Sequence, residues 1–258
     1  MRRFWQLFCL ALLCNLAFAS SAVFAATLAG VVEKMHGQVQ ATSGASTKSL
    51  QEKSEVFEGD KVSTDAQGEA LIRMTDGTVF ALRPSTSFTV DQYHFENEDK
   101  NAQNNLLVRL FVGSMRTVTG LIGKRTPQKF ALKTVTSTIG IRGTDFETSV
   151  LEKNTGDAQA GTYNKVYQGA TFMENSLGNR VEIGANQAAF TPTDALQMAK
   201  QFGLLSKVPN VFTTGKYDNL LELLQNETMN RLNSELSSKL PIPSKVKDLL
   251  PKLDGWFK

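Results

Sequence analysis

The chain has 258 residues, of which 41% are hydrophobic and 21% charged, and its formal net charge is +3. These fractions are ordinary for a soluble domain and exclude a wholly disordered chain, a collagen-like repeat and a protein with several membrane spans. Two basic residues, Arg2 and Arg3, lie in a segment that we expect to be removed, and the other 26 (28 less these two) nearly balance 25 acidic residues. A mature chain with so little net charge is not expected to bind nucleic acid.

Residues 1–25 are predicted to be a cleaved export signal, which would place the mature protein in the periplasm. Two arginines precede an apolar stretch through Phe18, and small residues follow it. This stretch is too short to cross a membrane comfortably, although an uncleaved N-terminal anchor is the alternative. Val23 and Ala25 suit the −3 and −1 positions of a cleavage site, with cleavage after Ala19 as the second choice.

The sequence contains none of the usual catalytic or metal-binding patterns. Cys9 and Cys14 both lie in the predicted export signal, so the mature chain has no thiol for a disulfide, a metal or catalysis. His36 and His94 lie far apart in strand-like sequence, and no serine elbow motif accompanies them. We therefore expect no catalytic residue, no cofactor and no metal.

From residue 27 to residue 190 the sequence predicts short antiparallel strands. Apolar residues alternate with other residues along 106–112, which is the pattern of a half-buried strand. Residues 70–74 lead into Asp76-Gly77, a strong signal for a hairpin. Glycines recur at intervals of about ten residues, as in β-sandwiches and barrels.

The sequence after residue 192 predicts a helical tail. Thr193 or Asp194 can cap a short helix, and residues 206–214 are expected to form a linker. From Lys216 apolar residues recur at spacings of three and four, which predicts an amphipathic helix that is free to reach a partner. The predicted stripe consists of Leu220, Leu221, Leu224, Thr228, Leu232, Leu236 and Leu240.

An ordered set of short motifs between about residues 29 and 150 resembles the FecR domain. The motifs of the first half are Gly59–Thr64 (GDKVST), Gly68–Ala70 (GEA), Asp76–Thr78 (DGT) and Leu82–Pro84 (LRP). Those of the second half are Leu110–Gly113 and the closing block Thr134–Phe146 (TVTSTIGIRGTDF), in which Val135, Thr136 and Ser137 depart from the family's usual Pro and Ala. Residues 161–169 and 184–187 are similar to an extension found in exported members.

The resemblance implies a mainly β fold, an antiparallel β-sandwich or jelly-roll-like domain, here followed by the helical tail. The best-known FecR proteins are inner-membrane regulators. Their periplasmic part responds to an occupied outer-membrane iron–siderophore transporter, and their cytoplasmic part controls an extracytoplasmic-function sigma factor. We expect this chain to lack the cytoplasmic part and the internal membrane span. The property of the family that we expect here is therefore a periplasmic β-domain used for protein contact or sensing.

The expected organisation has four parts: a signal peptide at 1–25, a FecR-like β-domain at 26–150, a β extension of the same core at 151–192, and a helical tail at 193–258. Within the closing block, two glycines are expected to form a bend with positive φ, locked by a pair between Arg142 and Asp145. The structural or interaction candidates are Gly140, Arg142, Gly143, Thr144, Asp145 and an inward-facing Phe146, together with Leu224, Leu232 and Leu236 of the tail.

The expected function is therefore a non-enzymatic interaction or sensing module of the cell envelope. Its partner would be an envelope protein or a second copy held through the C-terminal helices, with no nucleic acid and no membrane span after cleavage. The alternative is a carbohydrate-active or peptidoglycan-binding envelope protein that uses β-core carboxylates. The candidates for that role are Asp60, Asp65, Asp76, Asp91, Asp145 and Glu147. Two desolvated carboxylates about 5–10 Å apart would favour an enzyme, and an exposed strand edge or apolar patch would favour the module.

The export signal gives a direct prediction about the mature N-terminus. Because Ala25 fits the last position before cleavage, the purified protein should begin at Ala26. N-terminal sequencing of protein recovered from the periplasm checks this, and an intact Met1 would contradict it.

Overall fold

The computed structural model describes residues 26–97 and 103–239. The predicted signal peptide, part of the polar stretch after Glu96, and the end of the tail with Leu240 lie outside these ranges. Within the two described ranges, no helix combines the length and the apolar character needed to cross a membrane.

The described residues form mainly β-strands, with a few short helices and one longer one. The strands are β1 (Leu28–His36), β2 (Val39–Ser43), β3 (Ser46–Ser49), β4 (Glu55–Phe57), β5 (Lys61–Thr64), β6 (Glu69–Met74), β7 (Val79–Leu82), β8 (Ser87–His94), β9 (Asn105–Val118), β10 (Phe130–Lys133), β11 (Ser137–Leu151), β12 (Gly161–Asn175), β13 (Arg180–Gly184), β14 (Ala188–Pro192) and β15 (Gly203–Leu204). The helices are α1 (Leu121–Arg125), α2 (Ala195–Gln201) and α3 (Asp218–Lys239), and a 3₁₀ turn spans Pro127–Lys129.

The strands build two layers that share the long strands β9, β11 and β12. Layer 1 has the order β3-β2-β5-β8-β9-β10-β11-β12-β13, and layer 2 the order β4-β1-β6-β7-β9-β11-β12-β14-β15. Each long strand contributes one half to each layer; β9, for example, pairs with β8 as far as Val112 and with β7 from Met115 onward. Among the described strands, every pairing is antiparallel except that of β9 with β10. The predicted mainly β, antiparallel fold class is confirmed.

A left-handed glycine marks the point where each long strand passes from one layer to the other. These residues are Gly113 in β9 (φ +89°), Gly143 in β11 (φ +59°) and Gly169 in β12 (φ +80°). The register between β11 and β12 also shifts between Arg142 and Asp145, so the expected bulge is present. Gly140 differs from the expectation because its φ is not positive; a Cβ there would lie 2.1 Å from the ring of Phe172.

The hydrophobic core lies between the two layers. Phe80 of β7 and Phe88 of β8 have ring centroids 5.7 Å apart, and each belongs to a different layer. Phe130 and Phe146 make a second contact across the layers at 6.3 Å. Phe146 is fully buried, as expected of an inward-facing residue.

The Asp76–Thr78 motif is a structural turn that holds α1 in place. Gly77 adopts a φ of +83° in the β6–β7 hairpin. The buried carboxylate of Asp76 accepts hydrogen bonds from the backbone and hydroxyl of Thr78 and from the backbone N–H of Ile122 in α1. Burial raises the pKa of Asp76 above its ordinary value, against the opposing effect of these hydrogen bonds. The Asp76 carboxylate therefore has a structural role: it connects the hairpin turn to α1.

The short helix of the tail begins at one of the two predicted capping residues. Asp194 is the N-cap, and its side chain accepts hydrogen bonds from the backbone of Leu196 and Gln197. Leu196 is nevertheless 81% exposed, and Met198 is the buried residue, with its sulfur 3.4 Å from the hydroxyl of Ser176. The helix therefore packs through Met198.

Replacing Gly143 tests the bend in β11. A Cβ at this position would meet no atom within 4 Å, so Gly143→Val strains only the backbone at φ +59°. We expect the free energy of unfolding to fall by about 1–3 kcal/mol, measured by urea denaturation. Gly143→Asn, which tolerates this conformation better, should lose less. Equal stability of the valine variant and the wild type would contradict the assignment.

Candidate interaction site

A C-terminal strap, residues 205–224, covers the outward face of layer 2. Its first part packs Leu205, Val211 and Phe212 against the stacked rings of Tyr163 and Phe190. Residues 206–214 form neither a helix nor a strand, as expected of a linker, but this packing contradicts the expectation that the linker leaves the following helix free.

The second part of the strap is the start of α3 and the residue just before it. Leu221 is fully buried, and Leu224 is half-buried. The side chains of Leu232 and Leu236 lie outside the described part of the chain, so their predicted role stays a prediction. The apolar contact joins Tyr217, Leu220, Leu221 and Leu224 of the strap to Leu71, Val79, Ala81 and Val118 of layer 2.

This face forms because successive side chains of a strand point to opposite sides of the sheet. In β7, Phe80 and Leu82 belong to the core between the layers, whereas Val79 and Ala81 belong to the cluster under the strap. Both sides of the strand are therefore buried, and a charged residue that follows in the same alternation, Arg83, is buried as well.

An ionic cluster lies between the two apolar parts of the strap contact. It consists of Arg83, Arg116, Asp145, Glu147 and Asp218. Arg83 is 3% exposed and Glu147 is 0% exposed. The guanidinium of Arg83 donates to both oxygens of Glu147, at 3.2 Å and 3.3 Å, and to both oxygens of Asp218, at 2.7 Å and 3.2 Å.

A second arginine extends the cluster toward β12. Arg116 donates to both oxygens of Asp145, at 2.9 Å and 2.7 Å, and lies 3.7 Å from a carboxylate oxygen of Asp218. Its guanidinium also stacks 4.2 Å above the ring of Tyr167. The hydroxyls of Tyr167 and Ser114 donate to Glu147, at 2.9 Å and 2.8 Å. Each carboxylate oxygen of Glu147 therefore accepts two hydrogen bonds.

The electrostatics favour the ionised form of the arginines. Burial by itself lowers the pKa of Arg83, but the carboxylates of Glu147 and Asp218 outweigh it and raise the pKa above its ordinary value. Burial raises the pKa of Tyr167, and Glu147 raises it further, so this phenol remains a neutral donor. A third basic group, Lys165, lies 4.8 Å from the centre of the Tyr167 ring.

The backbone of the strap fits closely over the cluster. The N–H of Gly215 donates to Asp218 at 3.0 Å, and the N–H of Lys216 donates to Glu69 at 2.8 Å. A Cβ on Gly215 would lie 1.7 Å from a nitrogen of Arg83. Only glycine allows the chain to pass here.

The strap does not fill the whole face. A cleft of about 290 Å³ remains beside it, bordered by Lys165, Tyr167, Phe212 and Glu222. A second cleft, of about 410 Å³, opens where the strap begins, near Tyr163.

The structure brings one closing-block residue, Asp145, into the ionic cluster. Its partner is Arg116, so the expected pair with Arg142 is wrong. The bulge after Arg142 separates the two residues, and the Arg142 side chain is exposed. Thr144 is buried, and its backbone N–H donates a hydrogen bond to the hydroxyl oxygen of Thr119.

Sequence reasoning did not place four members of the cluster in an interaction site: Arg83, Arg116, Glu147 and Asp218. A charged residue next to a large apolar one inside a strand, such as Glu147 after Phe146, is the one local signal for them. The pairing itself is not local, because Arg83 and Asp218 are 135 residues apart.

The carboxylates considered for an enzyme are bound to other groups. Asp145 and Glu147 are both buried and lie two residues apart on β11, but each accepts two hydrogen bonds from an arginine. Asp60 accepts the backbone N–H of Phe57 within a turn. These contacts are those of ion pairs and turns.

Comparison with known proteins gives a family match within the β-strand part of the chain. Residues 60–170 match the FecR protein family, a range that contains Arg83, Arg116 and Glu147 but not the strap. No curated protein matches the sequence. Two crystal structures of a "putative anti-sigma factor" from Parabacteroides distasonis ATCC 8503, at 2.50 Å and 1.65 Å resolution, are similar at 14% sequence identity, with a TM-score of 0.42. Each alignment covers 58% of this chain and 60% of the other, so the chain spans about three fifths of their length.

Removing Arg83 should expose the cost of burying Glu147. Arg83→Met leaves that carboxylate without its bidentate partner, and we expect the free energy of unfolding to fall by about 3–5 kcal/mol. The double variant Arg83→Met/Glu147→Leu should recover part of this loss.

The matched control is Arg109→Met, which breaks a half-exposed pair with Asp91 and should cost less than about 1 kcal/mol. Urea denaturation of the four proteins measures the differences. Similar losses for Arg83→Met and Arg109→Met would show that the buried pair contributes no more to the free energy of unfolding than the half-exposed pair.

Proposed function

We propose that this protein, in which residues 60–170 form a FecR domain, is a protein-interaction and sensing module of the bacterial cell envelope. The regulatory character of the family supports a regulatory or sensing role. The observation that carries the proposal is that the domain binds a peptide segment: layer 2 holds the strap through two apolar clusters around a buried ionic cluster. A face of this composition is suited to protein contact.

The proposed compartment is the periplasm. The supporting feature is the predicted export signal at 1–25, with its paired arginines, apolar stretch and small residues before Ala26. The two cysteines of the chain both lie in that signal, so the mature protein would fold in an oxidising compartment without forming disulfides.

The proposed role is non-catalytic. The supporting observation is that the two neighbouring buried carboxylates, Asp145 and Glu147, each form an ion pair with an arginine side chain. A general acid or base has to exchange its proton with a substrate, and carboxylates held in this way are instead used to position the arginines.

In-cell photo-crosslinking tests the interaction and the compartment together. A photoreactive amino acid replaces Leu223, which is 64% exposed on the strap, and a second protein carries it at Thr47, an exposed position of β3 in layer 1. Intact cells are irradiated, the periplasmic and cytoplasmic fractions are then separated, and crosslinked proteins in each fraction are identified by mass spectrometry. Any candidate is then purified and its dissociation constant for the FecR-domain protein is measured.

We expect a crosslink that depends on position and a purified pair that binds with a measurable dissociation constant. Recovery of the protein only from the cytoplasm would contradict the proposed compartment. Crosslinks that are the same at both positions, or candidates that do not bind when purified, would contradict an interaction role for this face.

A further inference from the structure

The strap presents a simple recognition pattern to layer 2. Asp218, Leu221 and Leu224 follow one another at three-residue intervals, so they lie on one side of α3. Asp218 meets Arg83 and Arg116, Leu221 is fully buried, and Leu224 packs in the same apolar cluster. The face therefore binds a helix that begins with a carboxylate and continues with two leucine side chains.

The charge of the face favours one carboxylate from its occupant. Arg83 and Arg116 are each paired with a carboxylate of β11, Glu147 and Asp145, so these four charges cancel. Lys165 adds one positive charge beside Tyr167. Glu69, which accepts the N–H of Lys216, adds one negative charge to the same face, so the preference for a carboxylate is local to the arginines. Arg83 donates two charge-assisted hydrogen bonds to Asp218, and Arg116 lies 3.7 Å from it.

The strap is a modest occupant of this face. Residues 206–208, near its start, are exposed, and Leu221 is the fully buried side chain among the described residues of α3. Clefts of about 290 Å³ and 410 Å³ lie along its edges, so the strap leaves part of the face uncovered.

The strap also lies outside the matched range. Arg83, Arg116, Val79 and Val118 belong to the FecR domain at 60–170, whereas their occupant comes from residues 205–224. The domain thus builds a binding face, and a separate segment of the chain covers it.

We propose that the outward face of layer 2 is a docking surface for a helical segment of a partner protein, one with a carboxylate followed by two leucine-like residues at three-residue spacing, and that the strap occupies this surface in cis. The proposal rests on the proposed interaction function and gives it a place and a mechanism. Since both segments need Arg83 and the apolar cluster, binding of the partner and docking of the strap exclude each other.

A peptide with the sequence of residues 215–232 of this chain is the probe, because it contains the complete recognition pattern. It is labelled with a fluorophore and titrated with the full-length protein in an anisotropy assay. The strap-released variant carries Asp218→Lys and Leu221→Asp in the full chain. The matched control carries Leu223→Asp, a substitution on the exposed side of the same helix.

The strap-released variant should bind the peptide at least ten-fold more tightly than the wild type and the Leu223→Asp control, in which the strap competes. A peptide that itself carries Asp218→Lys should bind the released variant at least ten-fold more weakly. Hydrogen exchange should show faster exchange at residues 215–224 of the released variant.

Three results would overturn the proposal. The first is a folded strap-released variant that does not bind the peptide, and the second is equal binding by released and wild-type proteins. The third is equal binding of the unchanged peptide and the peptide with the Asp218→Lys substitution, which would remove the carboxylate from the recognition pattern.

A milder release, Asp218→Asn with Leu221→Ala, replaces the first variant if that variant does not fold by circular dichroism. Failure of both variants to fold would show that the strap is an integral part of the core, and would also overturn the proposal. This experiment can fail independently of the test of the proposed function, because peptide binding in vitro needs no envelope partner. A released variant that binds the peptide while no crosslinks form in cells would refute the cellular role alone.

Discussion

The buried ion pair between Arg83 and Glu147 is the interaction on which the outward face of layer 2 depends. It joins the end of β7 to β11 in a place where both residues are almost completely removed from water. Desolvating two charges is costly, and the contact is tolerated because the guanidinium donates to both carboxylate oxygens while Ser114 and Tyr167 add further donors. Asp218 then binds the same guanidinium from the other side of the contact, so the position of α3 follows from Arg83.

The three long strands give this arrangement its frame. Because β9, β11 and β12 each pass from one layer to the other, a single continuous network of backbone hydrogen bonds holds both sides of the core. Each passage needs a sharp change of direction, and glycine with positive φ provides it at Gly113, Gly143 and Gly169. These three glycines, all within the range that matches the FecR family, thus have a backbone role, and charged side chains near them form the ionic cluster.

The strap connects this frame to the proposed function. A sheet face that alternates apolar side chains with buried charges cannot be left open to water without exposing a large apolar patch. Residues 205–224 cover it with a carboxylate at the centre and apolar contacts on either side. Competition between such a cover and a partner of the same chemistry would couple binding to the release of α3, which is the kind of two-state element that a sensing module requires.

The sequence alone determined the mainly β fold, the hairpin at Asp76-Gly77, the bend at Gly143 and the existence of α3, since strand alternation, turn chemistry and the three-and-four spacing of leucines are local properties. It also indicated the FecR domain from the order of its short motifs. The tertiary structure alone decided that Asp145 pairs with Arg116 and not with the nearby Arg142, and that Asp218 reaches Arg83 from 135 residues away. The physical reason is that the ion-pair partner of a charged residue depends on which strands pair and on the direction in which a bulge turns the side chain. The spacing of residues along one strand determines neither of these.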